Sequence, residues 1–412
     1  MFQSERTGRL RKLRKRPMRN LILGFILVLF SILPSAFAET GGVGPKLPPL
    51  NKSVVMSKEK YLELTRLIEE TPLNNQALAY KIRLPKEWEK LETSASENGN
   101  LLSKRILGNI VEYLGPPTLD LRSSFRIRAN DLSYDIDAKD WFLSYITTNS
   151  YTLSGMSVSS DKRAEAEYVT VGDNGIQYGV RAVAQISGPR IILAEYVFPL
   201  EFWEAEKDIM KWVISGFLLT NPDAAPIEPI RNYSFVDVAQ FNFPSSWILK
   251  ANPITSVQRM AASLINLKGS ESGNSPIRRN SDLENIYLLD GRIDVFAVAK
   301  NQDTNLAREL RLLKEGMLQR KLVLGELIEP VKGWSHHKAI QSSQIEVYKV
   351  NNTENKLANY EQWIGIFETP GRYYFITLLT VGREDDFLIW ARNVKAYNMV
   401  ISSLSPVDKL GN

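Results

Sequence analysis

"IRLPKEW" (Ile82–Trp88) and "FNFPSSW" (Phe241–Trp247) carry one short pattern: an apolar-polar-apolar triplet, then Pro, two polar residues and Trp. Pro85 and Pro244 suit the end of a strand, where a missing N–H costs least. Trp88 and Trp247 are then placed to cover the open end of a sheet. Beyond these two stretches the chain runs in parallel. A middle helix is expected around "AKDWFLSYI" (Ala138–Ile146) and around "LARELRLLKEGML" (Leu306–Leu318). Next come "IQYGVRAVAQI", the turn "SGP" and "RIILAEYVF", matched later by "YEQWIGIFE", "TPG" and "RYYFITLLTV". Their alternation, β-branched content and Gly/Pro turns predict hairpins. Each segment closes on an aromatic-rich helix. Phe202, Ile209, Trp212, Val213 and Phe217 fall at helical spacing in the first, and Phe387, Trp390, Val394, Tyr397 and Ile401 in the second. Both end on Val-Ile-Ser (Val213–Ser215 and Val400–Ser402). The pattern reads as one fold written twice, the second copy lengthened by "KGSESGNSPIRRNSD" (Lys268–Asp282), a surface loop.

A strand running into Pro-x-x-Trp, a middle helix, an antiparallel run and a closing amphipathic helix resemble the PsbP-like fold. That fold is shared by the extrinsic photosystem protein PsbP, the Mog-type Ran-binding protein and many exported bacterial domains. The resemblance covers about Leu78–Leu219 and Tyr233–Leu404. It implies a docking or assembly module without catalysis, and it transfers no metal or contact residue to this chain. The expected class is α+β: two tandem domains, each an antiparallel sheet packed by a middle helix and a C-terminal amphipathic helix. The boundaries expected are 73–221 for the first domain, 222–230 for a Pro-rich linker around "NPDAAPIEP" (Asn221–Pro229), and 231–406 for the second.

A chain of 412 residues, 44% hydrophobic and 24% charged, has the composition of an ordinary two-domain globular protein. The net charge of +5 is concentrated at one end. Residues 1–38 hold eight Lys/Arg and one Glu, which leaves 43 basic and 45 acidic residues in the body. A near-neutral body gives no electrostatic case for nucleic acid. The basic end, "RLRKLRKRPMRN", precedes "LILGFILVLFSILPSAFA" and reads as a signal peptide cut after Ala38. An uncleaved anchor is the alternative, since the 18-residue run is near the lower limit for spanning. Met18 would also serve as a start. With no cysteine, disulfides, thiolate metal sites, cysteine nucleophiles and a lipid-modified cysteine are excluded. Residues 39–72 are expected to hold a Gly/Pro-rich tether to Leu50, then a helix over Ser57–Glu70. Tyr61, Leu64, Leu67 and Ile68 would line one face of it, with Ser57 as N-cap.

The motifs with chemical potential are few. His336 and His337 are adjacent in "KGWSHHK". On an extended strand they would point to opposite faces, so a solvated or hydrogen-bonded pair is expected, with a metal site as the alternative. Ser335 has no nucleophile elbow around it. Ser57 and Lys60 match Ser-x-x-Lys without its companion motifs and read as a cap. Asp131, Asp135, Asp137 and Asp140 lack calcium-loop spacing and read as polar capping residues before a helix, as do "NQDTNLARE" and "REDDF". Arg122, Arg126 and Arg128 fall on one side of a strand. They read as its solvated face, or else as a basic strip for an anionic surface. Trp212 and Trp390 are expected in cores beside Pro85, Trp88, Pro244 and Trp247. The functional expectation is an exported, periplasmic or secreted, non-enzymatic protein that docks envelope proteins. It would need no cofactor, would not bind nucleic acid, and would meet membrane only through an uncleaved N-terminal segment. The alternative is a ligand-binding protein or carboxylate-based enzyme that uses the cleft between the copies.

Overall fold

The computed structural model describes residues 46–91, 107–172, 175–251, 256–268, 285–351 and 359–407. The signal peptide or anchor expected at 1–38 and the insertion beyond Lys268 lie outside them. In the first half β1 (Thr65–Glu70), β2 (Tyr80–Pro85) and β10 (Leu218–Leu219) form a small antiparallel sheet. The main sheet comprises β3 (Glu89–Lys90), β4 (Gly108–Leu114), β5 (Ser124–Asp131), β6 (Thr152–Ser160), β7 (Arg163–Val171), β8 (Gln177–Ser187) and β9 (Arg190–Pro199). Its order is β3-β4-β5-β9-β8-β7-β6.

The second half repeats both sheets. Its small sheet is β11 (Ile230–Ser234), β12 (Ala239–Pro244) and β20 (Ser405–Pro406). Its main sheet comprises β13 (Ile248–Ala251), β14 (Arg259–Leu267), β15 (Leu289–Ala299), β16 (Val323–Val331), β17 (Ser342–Asn351), β18 (Tyr360–Glu368) and β19 (Arg372–Val381). The order β13-β14-β15-β19-β18-β17-β16 is the same path through seven strands. The chain is thus α+β, with two sheet-rich bodies of matching topology.

Helices lie on the main sheets. The first middle helix, Ala138–Thr148, buries Phe142, Leu143 and Ile146 against β7 and β8. The first closing helix, Trp203–Ser215, packs against β8 and β9 on one side and β2 on the other. Alternate residues of β9 therefore enter two separate cores. Ile191, Leu193 and Val197 face the middle helix, while Ile192, Ala194, Tyr196 and Phe198 face the closing helix. Burial on both faces explains the nearly unbroken apolar run of this strand. The second closing helix, Phe387–Ser403, likewise contacts β15 and β19 as well as β12. The second middle helix, Leu306–Gln319, is capped by Asn305, whose side chain accepts from the Arg308 N–H. Leu310 and Leu313 of this helix pack against the second core.

The two Pro-x-x-Trp stretches adopt one turn. The Trp88 N–H donates to the Pro85 carbonyl at 3.1 Å, and the Trp247 N–H to Pro244 at 3.1 Å. Pro85 and Pro244 are the last residues of β2 and β12. Both indoles are buried, and Trp88 lies 5.0 Å from the Tyr196 ring.

Two expectations for residues 39–72 are corrected. The helix stops at Leu64, and Thr65–Glu70 is a strand, with Ile68 opposite Ile82 and Thr65 opposite Pro85. The spacing of Leu64, Leu67 and Ile68 suits a helix, but pairing with β2 satisfies the backbone of the whole strand at once. Nor does the described part of the tether hang free. The Pro48 carbonyl accepts from the Met156 N–H at 2.9 Å on the edge strand β6, and Leu50 is buried. Gly155 makes room for this approach, since a Cβ there would stand 2.8 Å from the Pro49 carbonyl oxygen. Following the ladder across each sheet, Met156–Ala166–Ala182–Glu195 matches Pro330–Glu346–Ile364–Thr377. The second half therefore places a proline, which has no N–H to offer, where the first half has Met156.

Truncating either indole leaves a cavity against a sheet end. Trp88→Ala and Trp247→Ala are each expected to cost about 3–5 kcal/mol, read as a lowered urea midpoint at unchanged m-value. An unchanged melting temperature in both would contradict their role as core residues.

Candidate functional site

The middle-helix face of the first sheet holds a buried ion cluster. Glu195 is fully buried on β9, and the register sets Arg126 of β5 directly opposite. Arg126 Nε donates to it at 2.8 Å and Arg128 Nε at 2.9 Å. Tyr168 donates its hydroxyl to the same carboxylate, and Tyr145 of the middle helix receives Arg128. Burial alone would push the Glu195 carboxyl up, but Arg126, Arg128 and the Tyr168 hydroxyl hold it below its usual value. Burial and Glu195 push the Tyr168 phenol well up. This corrects the solvated or anion-facing strip expected of the strand: Arg126 and Arg128 turn inward, and Arg122 stays exposed. The register counterpart of Arg126 in the second half is Asp294, opposite Thr377. Asp294 is buried and held by Arg292 Nε at 2.8 Å, Arg320 Nη1 at 2.8 Å and the Ser263 hydroxyl at 2.6 Å. Burial again opposes ionisation of Asp294, and the two guanidiniums outweigh it.

The closing-helix face of the first half holds a piece of the chain itself. Asn51–Met56 crosses it as a strap. The buried Arg181 of β8 bridges Glu165 at 2.7 Å and Glu167 at 3.0 Å, and gives a third bond to the Asn51 carbonyl at 3.0 Å. Lys211, buried on the closing helix, donates to the Ser53 carbonyl at 2.9 Å. Asp208 accepts the Val55 and Met56 N–H groups at 3.1 and 2.8 Å. The Trp212 indole N–H donates to the Met56 carbonyl at 3.2 Å. Every one of these bonds to the strap goes to main chain, while Lys52, Ser53 and Val55 are exposed. In the second half Trp363 stands in the register place of Arg181, and the Trp334 ring lies 6.0 Å from it and 5.5 Å from Tyr397. That face is sealed by aromatic rings. Nearby, the buried Glu361 accepts from the indoles of Trp363 at 3.1 Å and Trp390 at 2.9 Å and pairs with Arg383.

The seam between the halves absorbs the acidic loop before the first middle helix. Lys395 of the second closing helix reaches Asp137 at 2.6 Å and Asp161 at 3.2 Å. Burial works against the Lys395 charge, and Asp137, Asp161 and Asp135 together raise its pKa. Burial also raises the Asp135 and Asp140 carboxyls. Arg392 lies over the Tyr134 ring at 4.4 Å, and Ile136 is buried in the second core. Glu228 of the linker accepts from the Asp135 N–H at 2.9 Å and from the Ser246 N–H at 2.8 Å. Asp137 does stand at the N-cap, but its side chain makes no cap bond; it is spent on Lys395. Asp131 instead pairs with Arg190. No local pattern signals the Lys395–Asp137 pair, whose members are 258 residues apart.

His336 and His337 sit in a loop rather than a strand, and His337 Nδ1 faces the Ala339 N–H at 3.2 Å. Among the described residues, no three His, Asp or Glu are placed to hold a metal ion. Ser57 accepts from the Lys60 N–H at 3.2 Å as a helix cap. Asp386, from "REDDF", caps the second closing helix through the Ile389 N–H.

No protein-family model matches the sequence, and no curated protein matches it. Solved structures do. Cyanobacterial PsbP (CyanoP) from Synechocystis sp. PCC 6803 is 15% identical, with 44% of this chain and 97% of that chain covered, at a TM-score of 0.28. LpqN, involved in cell envelope biogenesis of Mycobacterium tuberculosis, is 13% identical over 39% of this chain and 96% of its own, at 0.25. The immunity protein TplEi of the Pseudomonas aeruginosa T6SS is 9% identical over 80% of this chain and 96% of its own, at 0.17. The chain is weakly similar to a PsbP, as its Pro-x-x-Trp stretches imply.

Glu195→Gln strands two guanidiniums in a core and is expected to cost about 3–5 kcal/mol at pH 7. The folded Glu195 carboxyl titrates below the unfolded value of about 4.3. Its contribution is therefore complete above about pH 5 and is lost as pH falls through the folded pKa. The melting temperature of the variant should fall less steeply than that of the native chain between about pH 5 and 2.5; parallel slopes would contradict the cluster. At the seam, a double-mutant cycle of Lys395→Met with Asp137→Asn should give a coupling of about 1 kcal/mol. The cycle with Asp161, whose side chain is 79% exposed, should give less. Zero coupling with Asp137 would remove the pair from the seam's energetics.

Proposed function

We propose that the protein is an exported, non-enzymatic envelope protein that docks other polypeptides as an assembly module. One observation carries the reading: the first half already holds an extended length of polypeptide. Arg181, Lys211, Asp208 and Trp212 grip Asn51–Met56 by its main chain. A face that binds backbone carbonyls and N–H groups recognises extended chain largely regardless of side chain. The duplication adds a second body on which surfaces can diverge, and the second closing helix joins the two through Lys395. In this reading the carboxylates of the seam are structural. They neutralise Lys395 and tie the halves together.

The test is photo-crosslinking in cells that export the protein, with the crosslinker placed in turn at the exposed positions Val55, Leu218, Val236 and Leu312. A discrete envelope protein captured from at least one position and absent from the others is the expected result. No discrete adduct from any of the four would overturn the docking reading.

A further inference from the structure

We infer that Asn51–Met56 is a displaceable strap, and that the groove beneath it receives an extended segment of another protein in its place. The inference rests on the docking reading and specifies its surface. Three features separate this segment from ordinary packed chain. First, its bonds run from groove side chains to its own main chain, so a different sequence in the same conformation would satisfy them equally. Second, four of its six side chains, Asn51, Lys52, Ser53 and Val55, are exposed, and Met56 alone packs on the core beneath, so hydrophobic burial adds only a small part of its hold. Third, the groove side chains have partners outside the strap. Arg181 is fixed by Glu165 and Glu167, and Trp212 is stacked on Tyr61 at 5.4 Å.

Lys211 defines what the groove wants. It is 6% exposed and its hydrogen bond goes to the Ser53 carbonyl. An ammonium buried with an oxygen acceptor on only one side favours any chain that brings an acceptor to that point. The occupant is accordingly an extended segment that offers carbonyls to Arg181 and Lys211 two residues apart, then two N–H groups to Asp208. Among the described residues the second half has no equivalent groove, because Trp334 and Trp363 close the corresponding face. Tethered beside its own groove, the strap competes at an effective concentration of order millimolar. A partner binds when it outcompetes that.

Val55→Pro with Met56→Pro removes both N–H groups that Asp208 accepts and leaves every groove residue in place. The probe is a capped synthetic peptide of residues 50–57, titrated against the full chain. It is expected to bind the double-proline variant at least tenfold more tightly than the native chain, with Lys211→Met in that background returning affinity to the native level. Equal affinity for native and double-proline chains, or indifference to Lys211→Met, would overturn the inference. Hydrogen exchange on the unsubstituted chain gives a reading independent of any variant's folding. The Val55 and Met56 amides should exchange at least a hundredfold faster than those of Met210–Ile214 in the closing helix. Exchange in step with that helix would show a fixed strap and end the proposal. Crosslinks to a partner from Leu218, Val236 or Leu312 alongside a negative peptide result would leave the docking reading standing and move its surface elsewhere.

Discussion

A sheet covered on both faces by helices cannot tolerate a charge that lacks its counter-charge within the protein. Four buried ionic groups of the main sheets meet this constraint. Glu195 has Arg126 and Arg128, Asp294 has Arg292 and Arg320, Arg181 has Glu165 and Glu167, and Glu361 has Arg383. Each pairing fixes the register of at least one strand, because a one-residue slip would turn the charged group to the opposite face and strand its partner. The desolvation cost of such ions is high, and replacing them with well-packed apolar groups is often neutral. Their effect here is to make the strand alignment unambiguous in sheets whose apolar runs are otherwise nearly interchangeable.

The two halves share a path but not a chemistry. Where the first carries Arg126 and Glu195, the second carries Asp294 and Thr377 at the same rungs, and the balancing cations come from Arg292 and from Arg320 just beyond the middle helix. Where the first has Arg181 under a strap, the second has Trp363 under Trp334. The two halves have one topology, and each settles its buried polar groups locally. The seam is the exception, since there each half supplies what the other lacks: an acidic loop on one side and Lys395 on the other.

Local features of this fold were legible in the sequence. The Pro-x-x-Trp turns, both Gly/Pro hairpins and the middle and closing helices on the main sheets all follow from short-range patterns. What could not be read depends on residues far apart. Leu64, Leu67 and Ile68 fit helix and strand alike, and the choice falls to β2, which the local pattern does not see. Arg126 and Arg128 look solvated until Glu195, nearly 70 residues on, is brought opposite. The acidic loop looks like a set of caps until Lys395 is placed beside it. The strap has a composition that suits a tether, and nothing in its side chains reveals a groove that reads only its backbone.

The separation between strap and groove also sets an order of events. Ser53 meets Lys211 across 158 residues, and Met56 meets Asp208 across 152. During synthesis the strap emerges long before the closing helix that will hold it. At a chain-growth rate of roughly 5–20 residues per second, that wait lasts on the order of ten seconds or more. Throughout it, the side chains that will hold the strap's main chain, Asp208, Lys211 and Trp212, do not yet exist. The segment that ends bound along a surface groove begins with none of the partners that will hold it.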